Sequence, residues 1–101
     1  MTWPVRVKSV AEAEFAEAAI WYHRRSETVA EAFVAAVEAT LKSIGQFPDR
    51  FPMVHRTTRR AIIPSFPYAV YFVKGATECV VLSIHHGKRH PRRWKRRGKP
   101  E

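Results

Sequence analysis

Over the first eight positions, apolar and polar residues alternate: Trp3, Val5 and Val7 fall on one side, and Pro4, Arg6 and Lys8 on the other. A period of two is the signature of a half-buried strand, and a proline at its start suits an edge or first position. From Ala11 the period changes. Ala11, Phe15, Ala18, Ala19 and Tyr22 share one helical face, which predicts an amphipathic helix to about residue 25. Ser9, with Glu12 three residues on, has the form of a capping box at its start. A second stripe, Val29, Phe33, Ala36, Val37, Thr40, Leu41 and Ile44, predicts another helix from Glu27–Thr28, stopped by Gly45 and Pro48. The short "RSE" connection makes the two an antiparallel hairpin.

The pattern then returns to strands. After the turn-rich "GQFPDRFP" come "TTRRAII" (57–63), "YAVYFVK" (68–74) and "CVVLSIH" (79–85). "PSFP" separates the first two and "GATE" makes a tight hairpin between the second and third. The predicted order is β-α-α-β-β-β. This is an α+β fold, with an antiparallel sheet and the N-terminal helical hairpin packed on one of its faces. The opposite face should stay partly open. Arg59 and Arg60 occupy adjacent strand positions, so only one of them reaches that face.

A chain of 101 residues fits one domain, 1–101, with a basic tail at 86–101. Charge changes the picture more than composition does. Residues 1–46 carry five basic and six acidic side chains, hence −1, whereas residues 47–101 carry thirteen basic and three acidic, hence +10. Eight basic residues lie within "HHGKRHPRRWKRRGK" (85–99). A basic half gathers anions, either phosphates or an acidic protein segment. Trp94 sits inside that run, and basic residues interleaved with an aromatic suit both kinds of partner. The binding candidates are therefore Lys88, Arg89, Arg92, Arg93 and Trp94 in the tail, with Arg59, Arg60, Tyr68 and His86 on the sheet.

Several chemistries find no support. The single cysteine, Cys79, excludes an internal disulfide and a thiolate zinc cluster, and suits a reducing cytosol. His85, His86 and His90 match no zinc spacing, so neither metal nor cofactor is expected. No apolar run approaches the ~20 residues of a membrane span, and the N-terminus lacks a signal-peptide core, so the expected location is the cytoplasm. There is no Gly-rich phosphate loop, no paired-carboxylate site and no recognisable Ser-His-Asp set.

The joint order of these elements resembles the ParE/RelE toxin superfamily of bacterial type II toxin–antitoxin systems. The resemblance is carried by "AIWYHRRS" late in the first helix, "ATLKSIGQFPDRFP" ending the second, "IIPSFPYAVYFV" in the central hairpin and "VVLSIHHGKRHPRRW" in the last strand and tail. It runs from Val5 to about Arg97. "FPYAVYF" and "HHGKRHPRRW" are most similar to the ParE branch, often called plasmid-stabilisation proteins. Such a resemblance implies a small toxin that binds the C-terminal segment of a cognate acidic antitoxin. It also implies a target: DNA gyrase for the ParE-like branch, or mRNA on the ribosome for the RelE-like branch.

Individual positions separate the two branches. A RelE-like member has a basic residue after the aromatic of the third strand; here Ala69 follows Tyr68. Arg60 is present, but Ile62 stands where a second lysine would serve. "GKR" does match the RelE-like tail, which makes Arg89 the plausible inheritance, with Trp94 near the expected tyrosine. An endoribonuclease would thus rest on Arg60, Arg89 and His86, without a convincing acid/base pair. The sequence favours a non-enzymatic ParE-like toxin; the ribosome-dependent nuclease and a plain nucleic-acid-binding module are the alternatives.

Overall fold

A computed structural model describes residues 2–87. It contains β1 (Val5–Val7), α1 (Ser9–His23), α2 (Glu27–Gln46), β2 (Met53–His55), β3 (Thr58–Ile62), β4 (Tyr68–Lys74) and β5 (Cys79–His86), with a 3-10 turn at Pro48–Arg50. The five strands form one sheet in the order β1-β5-β4-β3-β2. All neighbours are antiparallel except β1, which runs parallel to β5 with Val5 opposite Cys79 and Val7 opposite Val81. The α+β class and the helical hairpin on one face are as the patterning predicts.

The hydrophobic stripes meet where expected. Phe33 of α2 is fully buried, and four aromatic rings surround it: Phe15 at 5.9 Å, Tyr22 at 4.9 Å, and Phe66 and Tyr68 each at 5.2 Å between centroids. Below them Val37 and Ile44 pack with Val70 and Phe72 of β4 and with Cys79, Val81 and Ile84 of β5. Tyr68, Val70 and Phe72 thus face the helices, while Ala69 and Tyr71 lie on the second face with Val54. Burial also pushes the Cys79 thiol up from its ordinary pKa, with smaller opposing effects from nearby charges.

Four local features depart from the sequence reading. Strand β2 lies inside the supposed connector. It spans three residues, too few for alternation to register, and its turn to β3 uses Arg56 at φ 52° instead of a glycine. Ser9 does not cap α1. Lys8 takes the cap position without a side-chain capping bond; its N–H closes the ladder to the Val81 carbonyl while its own carbonyl accepts from Ala11 and Glu12. Strand therefore passes straight into helix. Ser26, by contrast, does cap α2, accepting from the Val29 N–H at 3.3 Å.

Gly45 lies within α2 and does not end it. The Trp3 N–H donates to the Gly45 carbonyl at 2.7 Å, and a Cβ on Gly45 would come within 2.8 Å of the Trp3 carbonyl oxygen. The glycine is there for close approach. Finally, β5 changes phase at Leu82: Tyr71 pairs with Ser83 but Phe72 with Val81, so the intervening residue is bulged. Before the bulge Cys79 and Val81 face the helices; after it Ile84 does, and Ser83 and His85 turn to the second face.

Two measurements check this packing. Alanine is the better helix former, by ~1 kcal/mol over glycine. Gly45→Ala should nonetheless destabilise the protein by about 1–3 kcal/mol in urea unfolding, as overpacking does. Cys79 should react with iodoacetamide at neutral pH only as fast as the protein unfolds, since its buried thiol holds its proton to higher pH than a free cysteine does.

Candidate functional surface

Strand alternation divides the two central arginines as expected. Arg59 stays on the edge of the core side, where its guanidinium donates to the Phe51 carbonyl at 2.7 Å and pairs with Asp49 at 3.4 Å. Lys74 reaches the same carboxylate at 3.0 Å. Arg59 therefore straps the 3-10 turn to the sheet. Arg60 points to the second face, opposite Tyr71 in register. Its Nε is buried without a hydrogen-bond partner among the described residues. Beside it Ile62 is 67% exposed.

That second face is less open than the layer argument predicts. Ala69, Tyr71 and His85 are all buried on it. Tyr71 and His85 stack nearly parallel, 4.8 Å apart at 15°. Val54 of β2, the strand that the sequence conceals, packs against the same cluster. What remains accessible is the β3 side, with Arg60 and Ile62.

A polar chain runs through the end of β5. The short β1 leaves the upper edge of β5 uncovered, and Glu14 of α1 reaches it: Oε1 accepts from the Ile84 N–H at 3.2 Å and from the Ser83 hydroxyl at 2.9 Å. Ser83 Oγ lies 2.6 Å from His85 Nδ1. A carboxylate only accepts, so the serine proton is directed to Glu14 and the serine oxygen accepts from Nδ1–H of His85. This fixes the imidazole tautomer and aligns the ring on Tyr71. Ser83 is fully buried, so this Glu-Ser-His chain is an orienting device with no accessible nucleophile. Sequence reasoning missed it because Glu14 and Ser83 are 69 positions apart. The only local signal is a serine and a histidine alternating in an otherwise apolar strand.

Tyr68 and His86 are cross-strand partners with rings 5.5 Å apart. With Pro67 they separate two depressions. One, of about 290 Å³, lies on the second face and includes Arg60, Ile62, Tyr71 and Gly87. The other, of about 400 Å³, lies between α1 and the ends of β4 and β5 and includes Glu14, Glu17, Trp21 and Tyr22. Burial, and then the neighbouring Tyr68, push the Tyr22 phenol up from its ordinary pKa, so it is neutral at physiological pH. A third hollow, of about 740 Å³, runs along the outside of the helical hairpin over Ile20, Ala30, Val34 and Ala35, rimmed by Glu27, Glu31 and Glu38.

The tail candidates Lys88, Arg89, Arg92, Arg93 and Trp94 lie outside the described residues. Among the described residues no three His, Cys, Asp or Glu side chains gather as a metal site, and no helix is long and apolar enough to cross a membrane. On the second face the described residues thus place Arg60, whose Nε lacks a partner, beside the exposed Ile62, an arrangement suited to binding.

Comparison with known proteins gives this surface its context. No curated protein matches the chain. A solved structure from the chromosomal ParDE toxin–antitoxin system of P. aeruginosa is similar in fold, with a TM-score of 0.74 at 16% identity, covering 84% of this chain and 96% of that one. The family model for the ParE toxin of the type II toxin–antitoxin system parDE matches residues 5–91, which include every described strand and helix. The chain belongs to the ParE toxin family of type II toxin–antitoxin systems.

Proposed function

We propose that this family member acts by binding DNA gyrase and is neutralised by a cognate antitoxin whose acidic residues engage the second face around Arg60. The observation that carries this reading is Arg60 itself: a guanidinium with a buried, unsatisfied Nε flanked by the exposed Ile62. A buried donor without a partner costs about 1–3 kcal/mol, so a carboxylate arriving there gains more than an ordinary surface pair. The hollow along the helical hairpin supplies a second apolar contact for a wrapping segment.

The position of Ala69 supports the gyrase reading over ribosomal mRNA cleavage. Where the nuclease branch carries a basic residue, this chain has a side chain that is 4% exposed and packed with Tyr71 and Val54. A missing transition-state donor typically costs ~10²–10³ in rate. His86 meets the ring of Tyr68 edge-on, an aromatic contact that gives little support to a general base.

The direct experiment is plasmid supercoiling by gyrase with purified protein. Inhibition with accumulation of a gyrase–DNA cleavage complex is expected; unimpaired supercoiling together with codon-specific cuts in toeprints of translating ribosomes would replace this reading with the nuclease one. Arg59 and Arg60 should separate two properties. Arg60→Ala should weaken antitoxin binding or cell killing about 10–100-fold, the range for a hydrogen bond to a charged group, with little change in stability. Arg59→Ala should instead lower the unfolding midpoint, because its loss frees the Phe51 carbonyl and Asp49.

A further inference from the structure

The hollow along the outside of the helical hairpin is built from residues that the core does not use. On α2, Glu27, Ala30, Glu31, Val34, Ala35 and Glu38 follow i, i+3, i+4, i+7, i+8 and i+11 spacing, a second stripe beside the core stripe of Phe33, Val37 and Ile44. Small side chains at Ala30 and Ala35 keep its floor low, and Ile20 of α1, 53% exposed, stands on the other side. The three glutamates are exposed, and among the described residues none of their carboxylates is held in an ion pair or a hydrogen bond. At 1.5 Å per residue they form a row about 16 Å long.

Such a surface selects its occupant by charge. A carboxylate row over an apolar floor repels the identical face of a second copy, and offers an acidic segment only the floor. It attracts a basic segment that also carries a large apolar side chain. Residues 88–101 have that composition: eight Lys or Arg against one Glu, with Trp94 at the centre of "RRWKRR" (92–97). Their point of departure is also right. β5 ends at His86, which shares the wall of one cleft with Trp21, the neighbour of Ile20. The strand thus delivers residue 88 to the end of the hairpin where the hollow begins. An extended chain covers about 3.3–3.6 Å per residue, so residues 88–94 span about 23–25 Å, twice the ~10–12 Å thickness of a helix. Pro91 favours that extended form in the residue before it.

We infer that this hollow is the docking site of the chain's own basic tail, residues 88–101, with Trp94 over Ile20 and Val34 and the flanking cations along Glu27, Glu31 and Glu38. A single exposed ion pair contributes little. Here several act together with an apolar anchor, and the tether holds the tail at an effective concentration on the order of millimolar. The free protein thereby covers its own apolar hollow and neutralises part of its tail. A wrapping antitoxin segment would meet the tail there as a competitor; that consequence rests on the function proposed above, whereas the docking itself does not.

The test is paramagnetic broadening in the full ¹⁵N-labelled chain with a nitroxide attached at Gly98→Cys, since Cys79 is buried and leaves the new thiol as the reactive one. The amides of Ile20, Glu31 and Ala35 should broaden more than those of Arg60 and Ile62 on the second face. Glu31→Gln together with Glu38→Gln, both at exposed positions, should lower the ratio of docked to free tail about 2–30-fold, the range for two exposed ion pairs. Trp94→Ala should lower it as well, and added salt should act in the same direction. Stronger broadening on the second face, none on the hairpin, or broadening unmoved by either set of substitutions would overturn the assignment. So would broadening of a ¹⁵N-labelled chain without nitroxide by an unlabelled chain that carries one, which would make the contact one between copies.

Discussion

The fold depends on one contact set, the insertion of Phe33 from α2 among Phe15 and Tyr22 of α1 and Phe66 and Tyr68 at the entry to β4. Five rings from three separate parts of the chain fill this space, and edge-on pairs of this kind add to the area they bury. Tyr68 belongs to this cluster with one side of its ring and meets His86 with another. The packing core and the binding rim therefore share a residue, and the position of the rim follows from the packing of the core.

Edges explain the rest of the arrangement. A sheet whose first strand has three residues and whose last has eight leaves backbone donors exposed on the longer one. Glu14 meets that need at Ile84, and the same carboxylate orients Ser83 and His85. On the far side the short β2 covers the β3 edge, while Arg59, Asp49 and Lys74 tie the preceding turn to the sheet. Charges placed for structural reasons thus leave the molecule two-faced. Glutamates line the α1 cleft and the helical hollow, and an arginine lies on the second face of the sheet.

The periodicities of the chain disclose both helices, four of the five strands and the split between Arg59 and Arg60, because each depends on a stripe or alternation several residues long. What they conceal is set by contacts between distant positions or by backbone conformations that side chains do not announce. Strand β2 exists because β3 offers it partners, and its turn bends at an arginine in a left-handed conformation. Gly45 reads as a helix stop until Trp3 is seen against it. The bulge at Leu82 hides in an apolar run where every residue fits either face. Without that phase change, the pairing of Ser83 with His85 and Tyr71 on the second face cannot be inferred. The family resemblance carried the fold and the toxin class, but it could not supply this local geometry.

If Phe33 is the pin that holds hairpin to sheet, its removal should cost the full amount of a buried aromatic truncation and also loosen the rim that its neighbours form. Urea unfolding of Phe33→Ala against the parent protein tests that directly. The account predicts a loss of about 3–5 kcal/mol, the range for truncating a buried phenylalanine, together with dispersion of the Tyr68 and His86 resonances. A loss below about 1 kcal/mol, with the Tyr68–His86 contact intact, would contradict it.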